Sequence, residues 1–425
     1  MKKTVPFLGR VKSILGQGLS GMRPAIPVRL DLLEEEARKY IPHSPFLYIS
    51  SGAGRENVVQ KNHEAFLKWS IVPQVLTDIS MYDTSVKLLG CDHAYPFILG
   101  PVGALDLAHR DAEVAVGRAC AAEDVAMGFS SMASTPMEKV ASAMGDCTRW
   151  FQLYYTTSKS YNESLIRRAE ACGCSAIVVT VDTKLIGWRT EDLDMGYSVT
   201  ETFSGLGQFI HDPVFQQLME NKKPGAALTQ RPAITLRLII NFIKMSWYTP
   251  GGFFRNLLTL RAIRATQTVS EIFHDPSLNW RDLMELKKIT KLPILVKGIL
   301  RPEDAVMAVE SGMDGIIVSN HGGRQLSGCQ TSLDALPAIA EAVKGRIPVL
   351  MDSGIRGGAD IFKAIALGAN AVLIGRPYVY ALAIAGEKGV QEMIQNVKAE
   401  FDTTMLLAGC TKVSDIHRSM VVKND

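Results

Sequence analysis

The sequence predicts a TIM (β/α)8 barrel, and three observations carry that expectation. Eight short runs rich in aliphatic, β-branched or aromatic residues recur at 97–103, 125–132, 149–155, 176–182, 293–299, 315–320, 348–354 and 371–377. Most are continuously apolar, as parallel strands buried on both faces are. Between them lie segments with helical apolar spacing, such as DAEVAVGRACAAE, SLIRRAEACG, PEDAVMAVESG and ADIFKAIALG, several closed by glycine at the expected helix end. Finally, each run ends in polar or glycine-rich residues (GPVG, SSM, QLYY, TVD, VKG, SNHGGRQ, DSG, GRP). A barrel gathers the C-terminal ends of all eight strands at one mouth, where active sites lie.

Taken in order, residues 1–95 precede the first run and supply an N-terminal arm, with helices around DLLEEEARKYI and ENVVQKNHEAFLKW packing on the barrel. The barrel spans 96–415. Residues 190–280 interrupt the fourth strand–helix unit as an insertion, and a connection that long is a lid or binding element, or is partly disordered. Residues 416–425 form a C-terminal tail.

Composition narrows the function classes. The 425-residue chain is 47% hydrophobic and 21% charged with a formal net charge of +3, the profile of an ordinary globular enzyme. Nucleic-acid binding has no overall electrostatic support. Seven cysteines, an odd number spread through a long chain, argue against a disulfide framework and for the reduced thiols of a cytoplasmic protein. Cys172 and Cys174 are one residue apart with no histidine beside them, so they read as buried packers and no metal site is expected. Pro6, Gly9 and Arg10 break any leader-like apolar run, and no stretch reaches the ~20 apolar residues of a spanning helix.

The insertion is locally polarised. Residues 221–270 contain Lys222, Lys223, Arg231, Arg237, Lys244, Arg255, Arg261 and Arg264 but no acidic residue. The stretch ITLRLIINFIKMSWY sets Arg237, Asn241 and Lys244 on one helical face with Leu, Ile, Phe and Trp around it. Two readings follow: a lid helix packed on the barrel or a neighbouring subunit, or a peripheral membrane element.

The chemistry concentrates at the strand ends. SNHGGRQ, after the sixth strand, places the titratable imidazole of His321 three residues before the permanent cation of Arg324. Such a pair suits removing a hydroxyl proton beside a bound carboxylate, with histidine as the base and arginine as the anion's partner. The other seven histidines read as structural. Asp182 ends the fourth strand, where a carboxylate orients an imidazole or, alternatively, caps a helix. Arg189 reads as a second carboxylate clamp or a solvated loop cation. DSGIRGG, with Arg356, and GRP, with Gly375 and Arg376, sit where many barrels hold a phosphate. Lys297 is an ammonium in an otherwise apolar strand, suited to stabilising an anionic ring system.

Together, LYISSGAG, FQLYY, TVD, LIGWR, PILVKGI, SNHGGRQ, DSGIR and GRPYVY resemble the FMN-dependent α-hydroxy-acid oxidases and dehydrogenases, from about residue 16 to 415. Within that group GQGLSG, GWR, DPVFQQ and NHGGRQ are most similar to lactate 2-monooxygenase. The resemblance implies FMN as cofactor, His321 as the catalytic base and Asp182 as its partner. It implies Arg324 and Arg189 as substrate-carboxylate arginines, and Tyr48 and Tyr154 as substrate-binding tyrosines. It places Lys297 at the flavin N1–O2 edge and Ser130, Gln152 and Thr180 around the ring, beside the Pro101–Val102–Gly103 turn. Asp352 falls at the ribityl chain, and Gly354, Arg356, Gly375 and Arg376 at the phosphate.

Three departures stand out. Met132 replaces the tryptophan of glycolate oxidases, which argues against a glycolate-like pocket. Ser327 replaces an acidic loop residue. Gly103 stands where many oxidases carry alanine, and is expected to leave room beside the reactive flavin edge. The resulting expectation is oxidation of a small L-2-hydroxy acid, L-lactate first, with oxygen as acceptor and oxidative decarboxylation to acetate and carbon dioxide as an extension. The alternatives are an oxidase releasing hydrogen peroxide, a quinone-linked dehydrogenase at a membrane, and a catalytically silent binding barrel. A homo-oligomer, tetramer or octamer, is expected.

Overall fold

A computed structural model describes residues 6–55, 57–200, 202–220, 235–248 and 251–424. Eight parallel strands close into a barrel: β1 Phe97–Leu99, β2 Met127–Ser130, β3 Arg149–Tyr154, β4 Ile177–Thr180, β5 Ile294–Ile299, β6 Gly315–Val318, β7 Val349–Met351 and β8 Ala371–Ile374. Each coincides with one of the eight apolar runs. Closure is made by β8 against β1, with Val372, Leu373 and Ile374 opposite Phe97, Ile98 and Leu99.

Strand side chains alternate between the two faces, and this splits the core in two. Ile98, Trp150, Val178, Leu295, Ile317, Leu350 and Leu373 fill the barrel interior, and Leu88 from the hairpin Val86–His93 joins them. The intervening residues, such as Phe151, Val179, Val296, Ile316 and Val372, face outward into a larger apolar layer shared with the helices. Because both faces are buried, the strands read as continuous apolar runs.

The same alternation decides what reaches the mouth. Continuing upward from the interior layer by steps of two gives Gln152 and Tyr154 from Trp150, and Thr180 and Asp182 from Val178. It gives Lys297 from Leu295, Ser319 and His321 from Ile317, and Asp352 from Leu350. Polar side chains therefore crown an apolar plug.

Before the barrel come helices Pro6–Leu19, Leu33–Ala37, His43–Ser50 and Asn57–Leu67, followed by the strand Trp69–Ile71. That strand pairs antiparallel with Val421–Lys423, tying the two ends of the chain together. Between β4 and β5 the chain forms helices Thr190–Asp194, Gly207–Ile210, Pro213–Glu220, Leu236–Tyr248, Phe253–Thr259, Arg261–Ile272 and Trp280–Ile289. Lys222, Lys223 and Arg231, and the side chains of Arg237 and Lys244, lie outside the described residues, so the expected face of Arg237, Asn241 and Lys244 does too.

Candidate active site

The mouth holds a cleft of about 1140 Å³, its opening to solvent included, lined by residues at the ends of every barrel strand but β2 and by the arm. Its lining brings together Tyr48, Pro101, Val102, Gly103, Gln152, Tyr154, Thr180, Arg189, Lys297, His321, Arg324, Asp352, Gly354, Arg356, Gly375 and Arg376. Asp182 and Ser130 stand directly behind that lining, each bonded to a lining residue.

His321 follows β6 with φ 59°, a left-handed conformation that costs a non-glycine residue about 1–2 kcal/mol. Two serines hold the turn: the His321 N–H donates to Ser319 Oγ at 3.0 Å, and the Gly322 N–H to Ser353 Oγ at 3.0 Å. Gly323, at φ 79°, needs its missing side chain, since a Cβ there would lie 2.9 Å from the Val59 nitrogen. That turn aims the imidazole at the cleft.

His321 Nδ1 lies 2.9 Å from Asp182 Oδ1, while Nε2 faces the Tyr154 hydroxyl at 3.3 Å. With Nδ1–H donating to the carboxylate, Nε2 keeps its lone pair toward the cleft, and this tautomer is assigned from its partners. Burial pushes His321 below its ordinary pKa; Asp182 offsets this only in part, and Lys297 and Arg189 add to the depression. Burial would raise Asp182, but His321 and Lys297 outweigh it and hold the carboxyl below its usual range. The site thus rests with a neutral base beside an anionic partner. Burial first, then Asp182 and Tyr48, keep the Tyr154 phenol protonated well above its usual range.

Opposite the imidazole is a cationic corner. The guanidinium carbon of Arg324 stands 4.7 Å from the Tyr48 ring centroid and that of Arg189 5.8 Å from it. Burial, followed by the charge of Arg189, lowers Arg324 to about 10. Two nearby cations with so little water make a strong anion site. Arg324 also donates through Nη1 to the carbonyls of Tyr48 at 2.5 Å and Ser51 at 2.8 Å, so it fastens the end of helix His43–Ser50 to the mouth.

The cleft runs on over β5, β7 and β8. Lys297 is 5% exposed; burial opposes its charge, but Asp352 at 3.0 Å and the more distant Asp182 overcome this and keep it an ammonium. Ser130, Gln152 and Thr180 form a chain, with Ser130 Oγ donating to Gln152 Oε1 at 3.1 Å and Gln152 Nε2 to Thr180 Oγ1 at 2.9 Å. At the far end a Cβ placed on Gly375 would meet nothing nearer than Val102 Cγ2 at 3.9 Å, so backbone and cleft adjoin directly. A cation under a polar ledge, with glycine backbone and Arg356 at the other end, fits a flat anionic ring carrying a phosphate tail. Arg376 is more committed than its motif suggested: it donates to the carbonyls of Ile49, Gly322 and Ser51, each at 2.9 Å.

Gly103 requires a correction. A Cβ there would point at Met132, 2.7 Å from its Cβ and 2.8 Å from its carbonyl oxygen, and not into free space beside a flavin edge.

Several residues at the site were not singled out from the motifs. Ser319 accepts from both Lys297 Nζ, at 2.8 Å, and the His321 N–H. Asn62 and Asn320 exchange reciprocal amide bonds of 2.9 and 2.7 Å, joining the arm to the His321 turn. Gln325 donates to the carbonyls of Asp182 and Leu185, both at 2.9 Å, and clasps the loop that carries Arg189. The letters of SNHGGRQ contain three of these residues, but their long-range partners lie 22 to 258 positions away.

Comparison with known proteins identifies the family. The model of a family described as FMN-dependent dehydrogenase matches residues 37–423. An L-lactate oxidase from Lysinibacillus sphaericus is 40% identical over 94% of this chain and 94% of its own. The 2-hydroxyacid oxidase 1 of Homo sapiens is 37% identical over 92% and 95%. Among solved structures, a mandelate oxidase with (S)-4-hydroxymandelic acid superposes with a TM-score of 0.77 at 32% identity, covering 94% of this chain and 99% of that one.

Proposed function

Because this chain belongs to the FMN-dependent dehydrogenase family and is an FMN-dependent 2-hydroxy-acid oxidoreductase, we propose that it oxidises a small L-2-hydroxy acid, L-lactate first, with oxygen as final acceptor. The observation that carries the reading is the facing of His321 Nε2, backed by Asp182, and the Arg189–Arg324 pair across one cleft. FMN, when bound, supplies the two-electron acceptor for the substrate's α-hydrogen.

The remaining work falls to the chain's own groups. Arg189 and Arg324 take the substrate carboxylate, and Tyr48, wedged beside them, orients it. His321 Nε2 accepts the hydroxyl proton as the carbonyl forms, and Asp182 stabilises the imidazolium without taking the proton itself. Tyr154, held protonated by burial, donates to the oxygen that gains negative character. With FMN bound, Lys297 would sit at the ring and supply a positive charge there, and Gly354, Arg356 and Gly375, with Arg376 beside them, would hold the phosphate end. The L-lactate oxidase relative supports lactate and oxygen.

A second reading concerns the product. The same two arginines that hold a hydroxy-acid carboxylate can hold a keto-acid carboxylate, and we propose as a second reading that pyruvate stays bound through them while peroxide is formed. Lactate and oxygen first give pyruvate and hydrogen peroxide; retained pyruvate and peroxide then give acetate, carbon dioxide and water. The test is the aerobic product ratio from L-lactate without catalase. Failure to consume oxygen with L-lactate refutes the first reading; stoichiometric pyruvate and peroxide refute the second.

A further inference from the structure

Away from the cleft, an exposed apolar surface lies on the insertion. Helix Leu236–Tyr248 exposes Leu236 (73%), Ile239, Ile240, Ile243 and Trp247 (71%). At roughly 100° per residue these positions fall in one stripe about 100° wide. Met245, opposite the stripe, and Ser246, at its edge, are buried, so the C-terminal half of the helix is docked while the stripe stays exposed. The next helix, Phe253–Thr259, continues the patch with Phe254 and Leu258, 75% and 82% exposed, and the Trp247 and Phe253 rings meet at 5.4 Å. Contiguous apolar surface of this kind marks an interaction site.

Charge selects the partner. Residues 221–270 carry eight basic and no acidic residues, and exposed Arg255 lies within the patch itself. Arg261 is engaged by Glu220 at 3.7 Å. A two-fold contact between copies would set one basic segment against another, which is repulsive. An anionic lipid surface offers both phosphates for the cations and an acyl boundary for the stripe. Among the described residues no helix is long and apolar enough to cross a membrane, so the contact is on the surface.

We propose that the face formed by Leu236, Ile239, Ile243, Trp247, Phe254 and Leu258 docks this protein on an anionic lipid bilayer. The test is co-sedimentation of the full-length holoprotein with vesicles of phosphatidylcholine alone or containing phosphatidylglycerol, and needs neither substrate nor oxygen. The expected result is pelleting with the anionic vesicles at low ionic strength, little with the neutral ones, and release at ~0.5 M salt, where the Debye length falls to a few ångströms. Ile243→Glu with Trp247→Glu is expected to abolish pelleting while flavin content and lactate turnover in solution stay unchanged. Salt release of the wild type gives a reading that does not depend on the variant folding. Absent pelleting, or equal pelleting with both vesicles, overturns the proposal. So does dissociation of the double variant into smaller species in sedimentation velocity, which would assign the face to a second copy of the chain.

Discussion

Asp182→Asn isolates what the carboxylate contributes to proton removal. The change preserves shape and a hydrogen-bonding oxygen but removes the charge 2.9 Å from His321 Nδ1. Once His321 holds the substrate proton, opposite unit charges about 4 Å apart at an effective dielectric of about 20 attract by ~4 kcal/mol. Asparagine restores about 1 kcal/mol as a neutral hydrogen bond. The remaining ~3 kcal/mol corresponds to a loss of about 10²-fold in flavin reduction. Direction in pH follows from the same contact. The base works only when neutral, so the rate falls as pH drops through the His321 pKa, which burial places below its ordinary 6.5. Asp182 pulls that pKa upward, so removing it moves the acid limb to still lower pH. The assay is anaerobic stopped-flow bleaching of the flavin by L-lactate from about pH 5 to 8. A rate within threefold of wild type, with an unmoved acid limb, would refute the assignment of Asp182 as partner of the base.

The remaining expectations are simpler. His321→Gln keeps FMN, because the ring and phosphate contacts are untouched, but loses about 10²–10⁴-fold in flavin reduction under the same assay. Arg324→Lys raises KM for L-lactate about tenfold or more, since an ammonium cannot reproduce the guanidinium fork, and steady-state oxygen uptake measures it. Gly354→Ala forces a side chain onto φ 91° and against the Asn62 carbonyl. That strain, about 1–3 kcal/mol, lowers the melting temperature and weakens FMN retention, read by calorimetry and flavin fluorescence.

Legibility divided along a physical line. The eight strands could be read because burial on both faces leaves continuous apolar runs, and His321, Asp182, Arg324 and Lys297 because titratable groups at strand ends are conspicuous there. Ser319, Asn62 and Gln325 were not singled out, because a serine or amide declares its purpose only through its partner. Asn62 reaches Asn320 across 258 positions of chain. Gly103 shows the same limit in another form: a missing side chain is visible in sequence, but the direction in which it is missing is not, and here it is toward Met132.

The sequence by itself therefore determined the barrel, its strand order and the set of side chains delivered to one mouth, since these follow from hydrophobic periodicity and a two-residue alternation that are local properties of the chain. Tertiary structure alone decided that Asp182 Oδ1 meets His321 Nδ1, and that Arg324 and Arg376 clamp the carbonyls of helix His43–Ser50 while lining the cleft. It alone decided that helix Leu236–Tyr248 turns its apolar stripe outward. Those outcomes depend on side-chain directions and on distances between segments far apart in the chain, which barrel closure fixes and local propensity does not.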